Sequence, residues 1–171
     1  MTRDEFEVRT AVFRVSGCSG FLGNLRAIAS AHATRIICFN ADMMAGRAHV
    51  EAAMRRALRA EQAGITIASS LEMEALLSAA GSRQCSAAAR FGIREGENHA
   101  YVCVCPPVEA AFRDLSLFME FVDGDWEILT EGKRARLREA FGITPAELEA
   151  AGADRMVELV LERIALLEVY R

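Results

Sequence analysis

Residues 68–93 read ASSLEMEALLSAAGSRQCSAAARFGI, and the serine and glycine punctuation of this run predicts two short helices in succession. Ser69 and Glu72 have capping-box spacing, in which the hydroxyl takes a free backbone N–H and the carboxylate returns a bond. Leu71, Ala75 and Leu76 then share one helical face, and Gly81 ends the helix by permitting a left-handed turn. The second helix is expected from Ser82 to Gly92, with Ala87, Ala88 and Phe91 facing inward. Between the two, Gly81-Ser82-Arg83-Gln84 sets an arginine and an amide at a helix start where packing asks for neither. The bland reading of that corner is a solvated surface.

Working outward, Val8–Val15 is rich in β-branched and apolar residues and reads as a strand. Gly20–His32 reads as a helix with Phe21, Leu25 and Ile28 inward, and Arg35–Phe39 as a second strand. The stretch Asn40-Ala41-Asp42 is then a turn. A helix over about Gly46–Ala63 places Glu51, Arg55, Arg59 and Gln62 on a solvated face and leaves Ala48, Ala52, Met54 and Leu58 for packing; Gly64 ends it.

Downstream, 94–98 is a polar loop and His99–Cys105 a third strand, which Pro106 and Pro107 terminate. A helix over 108–121 has Ala111, Leu115 and Phe118 inward, its tail also readable as a short strand. Asp123-Gly124-Asp125 is a turn without the further ligands of a calcium loop. Lys133–Phe141 is a short helix, and Thr144-Pro145-Ala146-Glu147 is a strong helix start. The last helix, Ala153–Val169, has Arg155, Glu158 and Glu162 on one polar arc. Its apolar residues cover more of the circumference than one core stripe of about 100° needs. Either the helix is centrally buried, or it gives one face to the core and another to a partner.

A glycine turn follows the first strand, with Gly17, Gly20 and Gly23 ahead of a helix, and Asp42 lies after the second strand. This arrangement resembles the phosphate-cradling turn of short-chain dehydrogenases, in which backbone N–H groups and a helix N-terminus meet a pyrophosphate. A nucleotide-dependent oxidoreductase is therefore the alternative reading. Against it, helix follows helix from Asp42 to residue 91, so the βαβ alternation stops. Neither Tyr101 nor Tyr170 has a lysine four residues on, so the expected proton donor is missing.

Bulk properties narrow the classes further. The 171 residues are long enough to bury a substantial core as one domain, with 1–7 expected to fray. Apolar residues at 52% and charged ones at 26% argue against disorder. A net charge of −4 argues against a broad basic nucleic-acid surface, so any RNA contact must be local. With neither a signal peptide nor a run of about 18 apolar residues, a soluble, cytoplasmic protein without membrane contact is expected. The five cysteines, an odd number without framework spacing, suit a reducing compartment.

No catalytic constellation stands out and no cofactor or metal is expected. His32, His49 and His99 are scattered and lack ligand spacing. Cys103 and Cys105 alternate on one strand face as small apolar groups, and Cys18 and Cys85 have no motif partner. The arginines are the better candidates: Arg47, Arg55, Arg56 and Arg59 face the lone Glu51, and Arg83, Arg90 and Arg94 cluster around the opening stretch. Solvated helix faces are the default for such residues. Converging, they would form a small phosphate-binding patch whose guanidinium planes stack on unpaired bases.

The progression SLEMEALL, SRQ, FGI within 68–93 resembles the PRPK-binding protein family. Phe39-Asn40-Ala41-Asp42, residues 45–50 (AGRAHV), Phe141-Gly142-Ile143-Thr144 and residues 159–167 (LVLERIALL) extend the resemblance over roughly 35–169. That family is the small kinase-binding subunit of the KEOPS complex, which helps make threonylcarbamoyl-adenosine in tRNA. The resemblance implies a single mixed α/β (α+β) domain, with a small, largely antiparallel sheet of about four strands covered by helices. It implies a noncatalytic protein that binds and stimulates the KEOPS kinase/ATPase through its C-terminal helical region, here Leu161, Ile164 and Leu167. In archaea such subunits help recruit tRNA through its single-stranded 3′ CCA end, which points to Arg83 and Gln84, with Arg47 nearby. Two positions depart from the family pattern: Ser78 stands where many relatives carry tyrosine, and Cys85 where isoleucine is usual.

Overall fold

A computed structural model describes residues 5–124 and 126–169. Part of the expected fraying at 1–7, Asp125 of the expected turn and Tyr170 lie outside the described residues. Contacts group the chain into two compact units: residues up to Asn40 with Gly92–Gly124, and Ala41–Phe91 with the chain after Gly124.

The first unit is an open antiparallel sheet with two helices. Its strands are β1 (Glu7–Val15), β2 (Arg35–Asn40), β3 (Gly96–Cys105) and β4 (Glu120–Phe121), in spatial order β2-β3-β1-β4. Alternation sets the register. β1 runs against β3 from Glu7 opposite Val104 to Val15 opposite Gly96, and β2 pairs β3 from Arg35–Cys105 to Asn40–Ala100. Ala11, Phe13, Val15, Ile36, Cys38, Ala100, Val102 and Val104 thereby share a face. On it pack Phe21, Leu25 and Ile28 of α1 (Cys18–Ala31) and Ala111, Phe112 and Leu115 of α5 (Glu109–Leu115). The other sheet face is buried too, at Ile37, Phe39, Tyr101, Cys103 and Cys105. Arg9 lies 3.8 Å from the Phe112 ring centroid while its Nη2 holds Glu109 at 2.6 Å, so one guanidinium serves both a ring and a carboxylate.

The mixed class and the antiparallel four-stranded sheet expected above are what the chain adopts. Several boundaries move. The strand expected from His99 starts at Gly96, and the helix expected over 108–121 stops at Leu115 before the two-residue strand β4. Phe118, expected inward, is 43% exposed because it follows the helix end in a turn.

The second unit is helical: α2 (Arg47–Ala63), α3 (Leu71–Ala80), α4 (Cys85–Ala89), α6 (Glu131–Phe141), α7 (Pro145–Ala151) and α8 (Met156–Val169), with 3₁₀ turns at Ala41–Met43 and Ala153–Arg155. Gly64, Gly81 and Gly142 close α2, α3 and α6 in the left-handed conformation. Thr144 caps α7, accepting from the Glu147 N–H at 3.1 Å. The cap of α3 is Ser70 rather than the expected Ser69: its hydroxyl accepts the Met73 N–H at 3.2 Å. The second helix of the opening stretch is a single short turn and a half, α4, rather than one reaching Gly92. On α2 the packing alanines are 53, 57 and 60; Ala48, expected to pack, is exposed. No described helix is long and apolar enough to cross a membrane.

His49 is the pin of this unit. It is fully buried; the Ala45 N–H donates to its Nδ1 at 2.9 Å, and its Nε2 donates to the Ala79 carbonyl at 2.8 Å. The rings of Phe91 and Phe141 meet it edge-on at 6.2 and 5.7 Å, and each other at 5.8 Å. A ring nitrogen that accepts a backbone N–H must be neutral. Burial, helped by the Lys133 charge, accordingly holds the imidazole down to about 4.

The unfolded chain takes up that proton near pH 6.5 while the folded chain refuses it until about 4. Stability from His49 is therefore complete above pH 6.5 and is lost as the pH falls toward 4, by up to about 3 kcal/mol. Urea denaturation at pH 7 and pH 4.5 should show this loss in the wild type, and His49→Gln should lower stability at pH 7 while removing most of the difference.

Candidate functional site

Local chemistry builds the α2–α3 hairpin around a charge pair rather than around the expected apolar face alone. Glu74 is fully buried on α3, and its Oε1 accepts Arg56 Nη1 from α2 at 2.9 Å. Glu74 Oε2 accepts the backbone N–H groups of Ile67 and Ala68 at 2.8 and 2.7 Å, which ties down the connection between the helices. Arg56 Nη1 also donates to Ser78 Oγ at 3.0 Å, and that hydroxyl donates to the Glu74 carbonyl at 2.8 Å. Arg56 is thus a correction to the solvated basic face expected for α2. Ser78, where the family pattern leads one to expect tyrosine, completes the same network.

Two grooves flank this hairpin. The first has a volume of about 520 Å³ and is walled by Gly81, Arg83, Gln84, Arg90, Phe91, Phe141, Arg163 and Leu166. Gly81 is favoured by its backbone conformation and sits close against its neighbours. Its φ of 58° favours glycine, and a Cβ there would come into contact, at 3.4 Å, with the Arg163 carbonyl and the Phe141 ring. The Arg163 guanidinium is held by Glu147 at 2.8 Å on both nitrogens, and its Nε donates to the Phe141 carbonyl at 3.2 Å. That pairing keeps the Glu147 carboxyl below its usual range. Arg90 meets Glu139 at 3.3 Å on the exposed rim, a contact worth little by itself. The second groove, about 480 Å³, runs beside α2 and the loop after it, walled by Arg56, Arg59, Ile65, Thr66, Arg83 and Glu168. Arg83 and Leu167 line both.

Of the residues expected to meet RNA, Arg83 and Gln84 come together, joined by Arg90 and Arg163. Arg163 lies outside the polar arc of Arg155, Glu158 and Glu162, and the helical pattern alone gives no sign that it faces Glu147 on α7. Arg47 opens α2 and lines neither groove; its backbone N–H donates to Glu127 at 3.2 Å. Arg94 belongs to the sheet unit, where its Nε donates to the Glu97 carbonyl at 3.3 Å.

The residues expected to meet a kinase divide by rotation about α8. Ile164 and Leu167 are buried at 3% and 7% exposure, so they serve the core, while Leu161 is half-buried. Inward rows on α8 are Met156, Leu159, Val160, Ile164 and Leu167. The outward row is Val157, Leu161, Ala165 and Val169, at fourfold spacing, with Val169 69% exposed. The helix is not centrally buried: one face is core, and a second apolar row is left over.

The glycine turn is differently occupied than a phosphate cradle would be. The Gly17 and Cys18 N–H groups at the start of α1 donate to the Glu95 carboxylate at 2.8 and 2.6 Å. Those bonds hold Glu95 below its ordinary range, Gly17 first. β1 and β2 are separated by β3 in the sheet, so the parallel βαβ neighbour pair of the dinucleotide fold is not formed.

The family model described as kinase binding protein CGI-121 matches residues 23–168. No curated protein matches the chain.

Truncating one member of the buried pair leaves the other charge unpaired, so Glu74→Ala should cost about 3–5 kcal/mol of stability. Arg56→Met combined with Glu74→Leu should recover part of that loss. Chemical denaturation of both variants and of the wild type reads the difference.

Proposed function

This chain belongs to the kinase binding protein CGI-121 family, and from that premise we propose that it is a noncatalytic subunit of a KEOPS complex. In this reading it binds and stimulates the kinase/ATPase subunit and brings tRNA to it by the 3′ CCA end. The observation that carries the proposal is the outward row of α8. Val157, Leu161, Ala165 and Val169 form an apolar stripe on a helix whose other stripe is already spent on the core. A stripe of this kind is the usual offering of one helix to a partner groove. Exposed Glu158 and Glu162 flank it, which favours a partner surface bearing basic groups.

The tRNA part of the proposal is supported by the first groove. Arg83 and Gln84 stand at the start of α4, with Arg90 and Arg163 beside them and Phe91 and Phe141 behind. Guanidinium planes and an amide suit splayed, single-stranded bases better than a duplex. The protein's net charge of −4 restricts such contact to this local surface. Scaffolding is the mechanism: one surface holds the kinase, another holds the RNA end, and the transfer chemistry takes place on other subunits. A cytoplasmic setting belongs to the same proposal.

Size-exclusion chromatography with the KEOPS kinase subunit of the same organism tests the first part. The wild type should co-elute with it, and Leu161→Glu should abolish co-elution while retaining its circular dichroism. Ile164→Glu should instead lose the fold. Separate elution of the wild type at micromolar concentration, or a complex indifferent to Leu161→Glu and Val157→Glu, overturns the proposal. For the RNA part, Arg83→Ala is expected to weaken tRNA binding about tenfold, the scale of one stacking or charge contact. Removing CCA from the tRNA should do at least as much.

A further inference from the structure

The second groove has the makings of an anion site, and the chain already places an anion in it. Three guanidinium groups, Arg56, Arg59 and Arg83, line one concavity with a single carboxylate, Glu168. Arg59 Nη2 donates to Glu168 Oε1 at 3.0 Å, and both side chains are about half exposed, at 52% and 41%. An ion pair that exposed is weak, so a ligand's anionic group displaces the carboxylate at little cost. Arg56 forms the inner wall. Its side chain is 5% exposed, and its Nη1 is committed to Glu74 and Ser78. Its Nε is buried with no hydrogen-bond partner among the described residues. Buried donors are nearly always satisfied, and each orphan costs ~1–3 kcal/mol.

The rest of the lining says what else the ligand carries. Ala60, Ala63, Ile65, Ile67 and Leu167 are apolar, and Thr66 adds a hydroxyl. The volume of about 480 Å³ falls in the usual range for a small-molecule site. An anionic head on a flat, partly apolar body fits such walls, because guanidinium planes pair phosphate at the edge and stack on rings by the face. We propose that this groove binds a nucleoside phosphate, with Glu168 as the built-in competitor for its phosphate on Arg59. The site shares Arg83 with the RNA reading but is told apart from it by Arg59 and Glu168, which line the second groove and not the first.

Calorimetric titration of the full chain with AMP and, separately, with inorganic phosphate tests this. AMP should bind the wild type weakly, and Glu168→Gln should tighten it about tenfold by removing the competing charge. Arg59→Ala should abolish binding; both side chains are half exposed, so the thermal midpoint of each variant should stay near that of the wild type. Inorganic phosphate should bind more weakly than AMP and respond to Glu168→Gln in the same direction. The proposal is overturned if AMP shows no saturable binding to either the wild type or Glu168→Gln at millimolar concentration. It is equally overturned if AMP affinity ignores Glu168→Gln or Arg59→Ala, or if phosphate binds as tightly as AMP. Arg59 lines the second groove alone, so Arg59→Ala should lose AMP while keeping tRNA binding, which separates the two grooves.

Discussion

Arg56 and Glu74 are taken out of water together, and the desolvation of two such ions costs several kcal/mol each before any attraction is counted. A hydrophobic pair of similar volume would hold α2 to α3 at lower cost. What an apolar pair would not supply is acceptors for the connection between the helices. Glu74 takes Arg56 on one oxygen and the N–H groups of Ile67 and Ala68 on the other. A single carboxylate thus fixes two helices and the loop that walls the second groove. Ser78, itself fully buried, closes the network from α3. The shape of the groove follows from satisfying one buried charge.

Signals confined to a few neighbouring residues were legible in the sequence. Gly64 and Gly81 stop helices because left-handed backbone is a local requirement, and Thr144-Pro145 starts one for an equally local reason. Phe21, Leu25 and Ile28 follow a single period and do face the sheet. Decisions made by distant residues were not legible. Nothing in a helical pattern tells a buried Arg56 from the solvated Arg55 one position away, because the difference is Glu74 on another helix. The choice of Ser70 over Ser69 as cap turns on which of two adjacent serines takes the extended conformation. On α8 the surplus of apolar residues was visible, but its division into Ile164 and Leu167 inside and Val157 and Leu161 outside needs the neighbouring helices.

The glycine turn at Gly17 shows how a local pattern misleads when its partner is remote. Free N–H groups at a helix start need an acceptor, and phosphate is one answer. Glu95, which lies across the sheet unit's own connection into β3, is another. Strand order then separates the two cases: a crossover through α1 that lands β2 on the far side of β3 makes no crevice of the dinucleotide type.

Arginine placement also reconciles an acidic protein with the anion binding proposed for its grooves. Arg59, Arg90 and Arg163 each carry a glutamate partner, Glu168, Glu139 and Glu147. These pairs keep the local field short-ranged, since a paired guanidinium is nearly neutral beyond a Debye length of about 8 Å. A polyanion is therefore not attracted from afar, and duplex nucleic acid gains little by approaching. A ligand gains only when it enters the groove and takes over a guanidinium edge from its glutamate. The exchange is easiest at half-exposed Glu168 and hardest at Glu147, which holds Arg163 on both nitrogens. Selectivity on such a surface comes from fit at the groove rather than from net charge, and the glutamates are what make it so.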